Sequence, residues 1–222
     1  GTFIPKDKNP QEREHFSYRH GVPNSVWPIF EEIISKRYLN DNTNKGMKVF
    51  ITGVDAGYMT NYAYMFVDMT NENVVALKGK DYDKFLSEEM DSKTFRISKE
   101  RRNLYLVESN YTKDILNSHM NLTWLKEFNS IQPFGFMNFP TPSDGKYLFV
   151  NYFSHFEAEH KVIDGKGNFR WIKKSNVHQN HLFDCRLYAN VVRDILLDQI
   201  FRKAKIKNGT WKDYSNLIMK KK

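Results

Sequence analysis

The stretch that decides the fold is residues 48–60, with the sequence KVFITGVDAGYMT. Its mostly apolar first half is typical of a buried strand, and this strand ends at Asp55. A glycine-containing turn follows at residues 56–59. Residues 61–69 fit either a helix capped by Thr60 or a second strand with aromatic residues at alternate positions. The stretch therefore predicts a core strand with a carboxylate at its carboxyl end.

Strands and helices alternate outward from this stretch in both directions. A second core strand at residues 103–107 ends at Glu108 and precedes a helix that buries Leu116. The order predicts an α/β fold, a mixed sheet flanked by helices with an added β-hairpin. The other predicted elements are an edge strand at 15–19, a helix after the turn at 21–24, strands at 74–77 and 147–153, a hairpin at 160–163 and 169–172, a final helix from Leu182, and loops at 40–46, 79–102 and 129–145.

The charge of the chain favours a polyanionic partner. Its 222 residues carry a net charge of +8, and Lys and Arg side chains displace the counterions that condense on nucleic acids. The single cysteine excludes an internal disulfide and a Cys-rich zinc site. No apolar run approaches the ~18 residues that a membrane span requires. We expect an extended arm at residues 1–14, one domain at 15–205 and a basic tail at 206–222.

Three acidic residues occupy positions where an α/β sheet would bring side chains together. Asp55 and Glu108 each end an apolar strand, and ligands of open α/β sheets bind at the carboxyl ends of strands. Asp184 falls on the predicted inward face of the final helix, where a carboxylate is costly to bury unless a cation balances it. Mg²⁺ or Mn²⁺ would relieve the repulsion between converging carboxylates. Each acid taken alone fits a turn residue or a helix cap equally well, so both interpretations stay open.

Four further polar residues are weaker candidates. Lys113, near a predicted helix start, fits a phosphate contact or a partner of a catalytic acid, and equally a solvated lysine. Glu159 fits an outer acid or a surface charge. Asn180 and His181 come one turn before Asp184 and are candidates for an outer shell around it. The sequence contains no GxxxxGK[ST] phosphate loop, so no ATPase is predicted.

Seven short segments occur in a fixed order over roughly residues 15–200. They are Gly21-Val22-Pro23 with Val26-Trp27, Val54-Asp55-Ala56-Gly57-Tyr58-Met59-Thr60, Leu77-Lys78-Gly79, Tyr105 to Leu116, Asn138-Phe139-Pro140, Ala158-Glu159, and Asn180-His181-Leu182-Phe183-Asp184-Cys185 with Tyr188-Ala189. Each segment alone is weak evidence. Together and in this order they resemble the motifs of the nuclease region of the lambda-type large terminase family.

This resemblance implies an RNase H-like fold and an endonuclease that cuts double-stranded concatemeric viral DNA during packaging, in the cytoplasm of the infected bacterial host. It implies two Mg²⁺ or Mn²⁺ ions, held by Asp55, Asp184 and Glu108, with Lys113 as a further catalytic residue. Besides double-stranded DNA, the implied partners are the terminase ATPase domain, the small terminase subunit and the portal.

One element of the family has no counterpart in this sequence, namely an earlier strand that ends in an acid. If Asp55 is the second carboxylate of the set, the isolated chain should cut DNA weakly, and better with Mn²⁺ than with Mg²⁺. Two alternatives stay open: a non-catalytic module that docks on DNA or capsid, and another RNase H-like enzyme such as a resolvase or transposase. The resolvase or transposase alternative is favoured if residues 48–77 form a three-stranded meander, so the conformation of residues 61–69 tests it.

Overall fold

The computed structural model of the chain describes residues 26–40, 42–58, 60–80, 90–91, 96–101, 103–139 and 151–219. The predicted arm, the edge strand at 15–19 and the turn at 21–24 lie outside these residues. The chain divides into two compact units, one formed by residues 1–79, 89–107 and 189–222 and the other by residues 80–88 and 108–188. The predicted division into arm, domain and tail stays a prediction.

The first unit is built on a five-stranded sheet. The spatial order of its strands is β3 (Thr52–Asp55), β4 (Val74–Lys80), β7 (Leu104–Glu108), β6 (Arg96–Arg101) and β5 (Met90–Asp91). β3, β4 and β7 form a parallel sheet, and β6 and β5 add antiparallel strands to it. The first four residues of β4 and all of β7 are buried, as continuous apolar runs are in strands covered on both faces.

Helices of the same unit pack an aromatic core. α1 (Val26–Ser35) leads into a separate hairpin of β1 (Arg37–Asn40) and β2 (Lys45–Lys48), and α2 (Thr60–Met69) connects β3 to β4. The rings of Trp27 and Phe66 stack with their centroids 4.9 Å apart, and both side chains are buried. Gly53 in β3 is needed for close packing, because a Cβ there would lie 2.7 Å from Cγ1 of Val192.

The second unit contains α3 (Ser109–Met120), a short 3₁₀ helix (Phe153–His155) and a hairpin of β8 (Glu159–Ile163) and β9 (Phe169–Lys173). Asp164 organises the hairpin turn, because its Oδ1 accepts the backbone N–H groups of Lys166 and Asn168, each at 2.9 Å. Hydrogen bonds from the Asn168 and Lys166 backbone hold the pKa of Asp164 below its ordinary value. Gly167 has a φ of 83°, which favours glycine in this turn.

Two helices are the last elements in the described part of the chain. α4 (His181–Lys203) begins in the second unit and continues into the first. α5 (Trp211–Met219) follows Thr210, whose backbone N–H and hydroxyl both donate to Asp213 Oδ2 at 2.7 and 2.6 Å. Within the part of the chain that the structure describes, no helix combines the length and the apolar character needed to cross a membrane.

The predicted fold class is confirmed, since helices flank a mixed sheet and a hairpin is added. Residues 61–69 are helical, so the three-stranded meander is wrong. Thr60 is the first residue of that helix, and its hydroxyl donates to the Ala56 carbonyl at 2.8 Å, so its expected role as the N-cap stays a prediction.

Four predicted elements need correction. The loop expected at 40–46 contributes Asn40 to β1 and residues 45–46 to β2, because these residues pair across the hairpin. The strand expected at 48–54 begins only at Thr52, and Phe50 before it is 71% exposed. Part of the loop expected at 79–102 forms β5 and β6, because backbone hydrogen bonds to the buried strand β7 hold β6 in the sheet and β5 pairs with β6 in turn. The strand expected at 147–153 is wrong in its described part, where residues 153–155 form a 3₁₀ helix stabilised by aromatic contacts such as that between Phe153 and Phe139, 5.2 Å between ring centroids.

Candidate active site

Four of the polar candidates meet in one hydrogen-bonded cluster in the second unit. The Lys113 Nζ atom lies 2.6 Å from Glu159 Oε2 and 3.7 Å from Asp184 Oδ1. The Asn180 side-chain amide donates to Glu159 Oε1 at 2.5 Å and to Asp184 Oδ2 at 2.8 Å. Both carboxylates are therefore held by the same ammonium group and the same amide group.

Local sequence explains how each member reaches the cluster. Lys113 lies in the first turns of α3, directly after the buried strand β7. Glu159 is the first residue of β8, so the pairing of the hairpin fixes its backbone. Asn180 immediately precedes α4, and its carbonyl accepts the backbone N–H of Asp184 at 3.0 Å, which places their side chains one turn apart on one face.

The cluster is largely withdrawn from solvent. The side chains of Glu159, Lys113 and Asp184 are 4%, 13% and 31% exposed, respectively. Two carboxylates face one ammonium, so these three side chains together carry one net negative charge. Burying such a group costs several kcal/mol per ion unless hydrogen bonds and opposite charge compensate. The Asn180 amide supplies part of that compensation.

Glu108 has a structural partner in α3. It is 2% exposed, and its Oε2 accepts the backbone N–H of Tyr111 at 2.9 Å, which caps the first turn of the helix. Its backbone carbonyl accepts the Thr112 hydroxyl at 2.7 Å. A metal-binding role for Glu108 stays a prediction beside this observed capping role.

Asp55 belongs to the first unit, whereas the cluster belongs to the second. It ends β3 as predicted, is exposed, and its Oδ1 accepts the backbone N–H of Gly57 at 2.8 Å. The expected sharing of a metal by Asp55 and Asp184 stays a prediction. His181 is exposed, with its ring centroid 6.3 Å from that of His155.

Sequence reasoning missed the residues that fasten the hairpin to α3. Asp114 accepts the Trp171 indole N–H and the Lys161 ammonium, each at 2.8 Å. Asn110 Oδ1 accepts the Trp171 backbone N–H at 3.0 Å. The usable signal was the spacing of Asn110, Lys113 and Asp114, which places three polar side chains on one face of a helix.

A family model for the terminase large subunit gpA, endonuclease domain, matches residues 12–202. The chain belongs to this family. No curated protein and no solved structure matches it. The predicted resemblance to the nuclease region of lambda-type large terminases is thereby confirmed.

In this gpA endonuclease domain, residues from three of the segments that carried the resemblance contact one another. Lys113, Glu159 and the pair of Asn180 and Asp184 are separated by 46 and 21 residues along the chain, yet they share hydrogen bonds. Membership of the family supports a nuclease role in phage genome packaging. The cluster brings acidic and basic groups together with little exposure to solvent.

Proposed function

We propose that this domain is a metal-dependent endonuclease that hydrolyses double-stranded viral DNA during packaging, with Lys113, Glu159, Asn180 and Asp184 as part of its catalytic centre. The observation that carries the proposal is the convergence of two partly buried carboxylates on one ammonium group. Acidic groups held together against their own repulsion and desolvation are typical of sites that act on phosphodiesters with metal ions. The net charge of +8 supplies attraction to the DNA backbone.

The donor set of the cluster fits a hard divalent cation in its chemistry. Glu159 and Asp184 offer carboxylate oxygens, the ligands that Mg²⁺ and Mn²⁺ prefer. Among the described residues, no group of three or more His, Cys, Asp and Glu side chains is arranged to hold a metal. Asp55 and Glu108 are the further ligands that the family resemblance implies, and they stay proposed ligands. Once bound, two such ions would lower the pKa of a water molecule and stabilise the leaving oxygen.

In this proposal, Asn180, Lys113 and Glu108 each have a different role. The Asn180 amide holds one oxygen of each carboxylate and so fixes their separation. Lys113 places positive charge between them and is positioned to stabilise negative charge that develops on a phosphate oxygen. Glu108 keeps the first turn of α3, and with it Lys113, in a fixed position through its bond to the Tyr111 N–H. His181 remains a proposed outer contact.

The proposed partners follow from the family. They are double-stranded DNA, the terminase ATPase domain, the small terminase subunit and the portal, and the proposed location is the cytoplasm of an infected bacterium. Contacts to phosphates carry no base information, so we propose binding to DNA without sequence preference.

The proposal is tested by cleavage of supercoiled plasmid with Mn²⁺, with Mg²⁺ and with chelator. Asp184→Asn and Glu159→Gln should each lower the cleavage rate by about 10²-fold or more, since loss of one preorganised charged group in a catalytic centre has effects of this order. Glu157→Gln is the matched control, because Glu157 is an exposed acid two residues before Glu159. Equal rates in Asp184→Asn and the control would contradict the assignment.

A second candidate function is a non-catalytic module that docks on DNA. It is favoured by the presence of only two carboxylates in the described cluster. This candidate predicts salt-dependent DNA binding with no cleavage under any metal condition. Metal-dependent cleavage that disappears in Asp184→Asn excludes it.

A further inference from the structure

Three polar residues on one face of α3 connect to the hairpin of β8 and β9. Asn110, Lys113 and Asp114 stand at positions i, i+3 and i+4, which are neighbours on a helix surface. Asn110 binds the backbone of Trp171, Lys113 binds Glu159, and Asp114 binds both Trp171 and Lys161. Every one of these hairpin residues lies on β8 or β9.

The Asp114 carboxylate accepts one hydrogen bond from a side chain on each strand of the hairpin. Its Oδ1 accepts the Trp171 indole N–H and its Oδ2 accepts the Lys161 ammonium, each at 2.8 Å. Lys161 and Trp171 are directly opposite each other in the antiparallel register. A single carboxylate therefore contacts a cross-strand pair, and both side chains of the pair must face α3.

This contact determines which way Glu159 faces. Side chains alternate between the two faces of a strand, so Glu159 and Lys161, two residues apart, share a face. If Lys161 faces Asp114, Glu159 must face the same helix, where Lys113 is the residue next to Asp114 in sequence. A one-residue change of register would turn Lys161 and Glu159 to the other face together.

We propose that Asp114 is a positioning residue of the nuclease centre, which acts by holding the hairpin so that Glu159 meets Lys113. This inference rests on the proposed function of the cluster for its kinetic consequence, but its structural consequence can be measured without any activity. The Lys161 and Asp114 side chains are 36% and 42% exposed, and exposed ion pairs contribute little stability. Loss of Asp114 should therefore leave the domain folded, while the part-buried Trp171 indole N–H loses its acceptor and the hairpin, with Glu159, shifts relative to α3.

The structural test measures the rate at which an amine-reactive acylating reagent modifies each lysine of the full chain, followed by peptide mass spectrometry. In the wild type, Lys113 should react slowly, since its side chain is 13% exposed and lies 2.6 Å from Glu159. Asp114→Ala and Trp171→Phe should raise the Lys113 rate several-fold. Asp114→Asn keeps an oxygen that accepts the indole N–H, so it should restore most of the protection.

Asp198→Ala is the matched control. Asp198 is 38% exposed and lies 2.8 Å from Arg202, so its loss removes a comparable ion pair within α4, outside α3 and the hairpin. An unchanged Lys113 rate in Asp114→Ala overturns the inference. An equal rise in the acylation rate of all lysines, together with a lower melting temperature, also overturns it, because that pattern means that the whole domain is destabilised.

The kinetic test separates this inference from the proposed function. Asp114→Ala should lower kcat for plasmid cleavage with little change in KM, and Asp114→Asn should recover most of the loss. If the wild-type chain cuts no DNA but Lys113 protection still depends on Asp114, the proposed function fails and the positioning role stands. If the wild type cuts DNA and Asp114→Ala changes neither kcat nor Lys113 protection, the positioning role fails and the proposed function stands.

Discussion

The contact between Lys113 and Glu159 leads to a quantitative prediction about stability. In Lys113→Met, the Glu159 carboxylate, whose side chain is 4% exposed in the wild type, loses the ammonium group that lay at 2.6 Å. Removal of one partner of a buried ion pair costs about 3–5 kcal/mol. The Lys113 side chain is 13% exposed and the Asn180 amide remains bound, so we expect a loss at the lower end, about 3 kcal/mol.

The assay is urea unfolding followed by circular dichroism at neutral pH, with the midpoint and slope fitted for each variant. The double variant Lys113→Met/Glu159→Gln should regain most of the lost stability, because it removes the unpaired charge together with its partner. Lys48→Met is the control for loss of a half-exposed ammonium, since Lys48 lies 3.1 Å from Glu72 with its side chain 49% exposed, and it should cost less than about 1 kcal/mol. If Lys113→Met and Lys48→Met cost the same, the cluster is open to solvent and our reasoning about its burial is wrong.

Four further predictions concern packing, DNA, metal geometry and pH. Gly53→Ala should destabilise the domain by about 1–3 kcal/mol in thermal unfolding, because the new Cβ would lie 2.7 Å from Val192. Binding to duplex DNA, measured by fluorescence anisotropy, should weaken steeply with salt and show no sequence preference, and salt-independent binding would refute this. A crystal structure with Mn²⁺ should place the carboxylates of Asp55 and Asp184 about 4–8 Å apart, and opposite faces of the sheet would rule out a shared metal. Burial raises the pKa of Tyr105, so the unfolded chain loses that proton first and stability should fall as the pH rises above 10.0, a slope that Tyr105→Phe should reduce.

The sequence predicted best those elements whose own residues indicate only one conformation. The apolar run before Glu108 and the glycine-rich turn between the hairpin strands each determine their own structure. Residues 61–69 had two fitting patterns, and tertiary packing decided between them: as a helix, the segment buries Phe66 against Trp27. No local pattern carries that information.

The cluster was predicted only in part, for a related reason. Glu159 fitted a surface charge equally well from sequence, because its burial comes from Lys113 and Asn180, which are distant in the chain. Glu108 was interpreted as a metal ligand from its place after a strand, yet the same place makes it the cap of α3. An acid at a strand-to-helix junction satisfies both patterns, and only the orientation of the side chain separates them.

The connection of the hairpin to α3 has a consequence for the order of folding. The hydrogen bonds of the turn at Asp164 join residues only two to four apart, whereas Lys113 and Glu159 are 46 residues apart. The entropy lost on closing a loop grows with its length, so the hairpin and the helix can each form locally before the longer loop closes. We therefore expect the charges of the cluster to meet in a late folding step, after both elements exist. A nascent or partly unfolded chain would therefore lack an assembled cluster even where its secondary structure is already present.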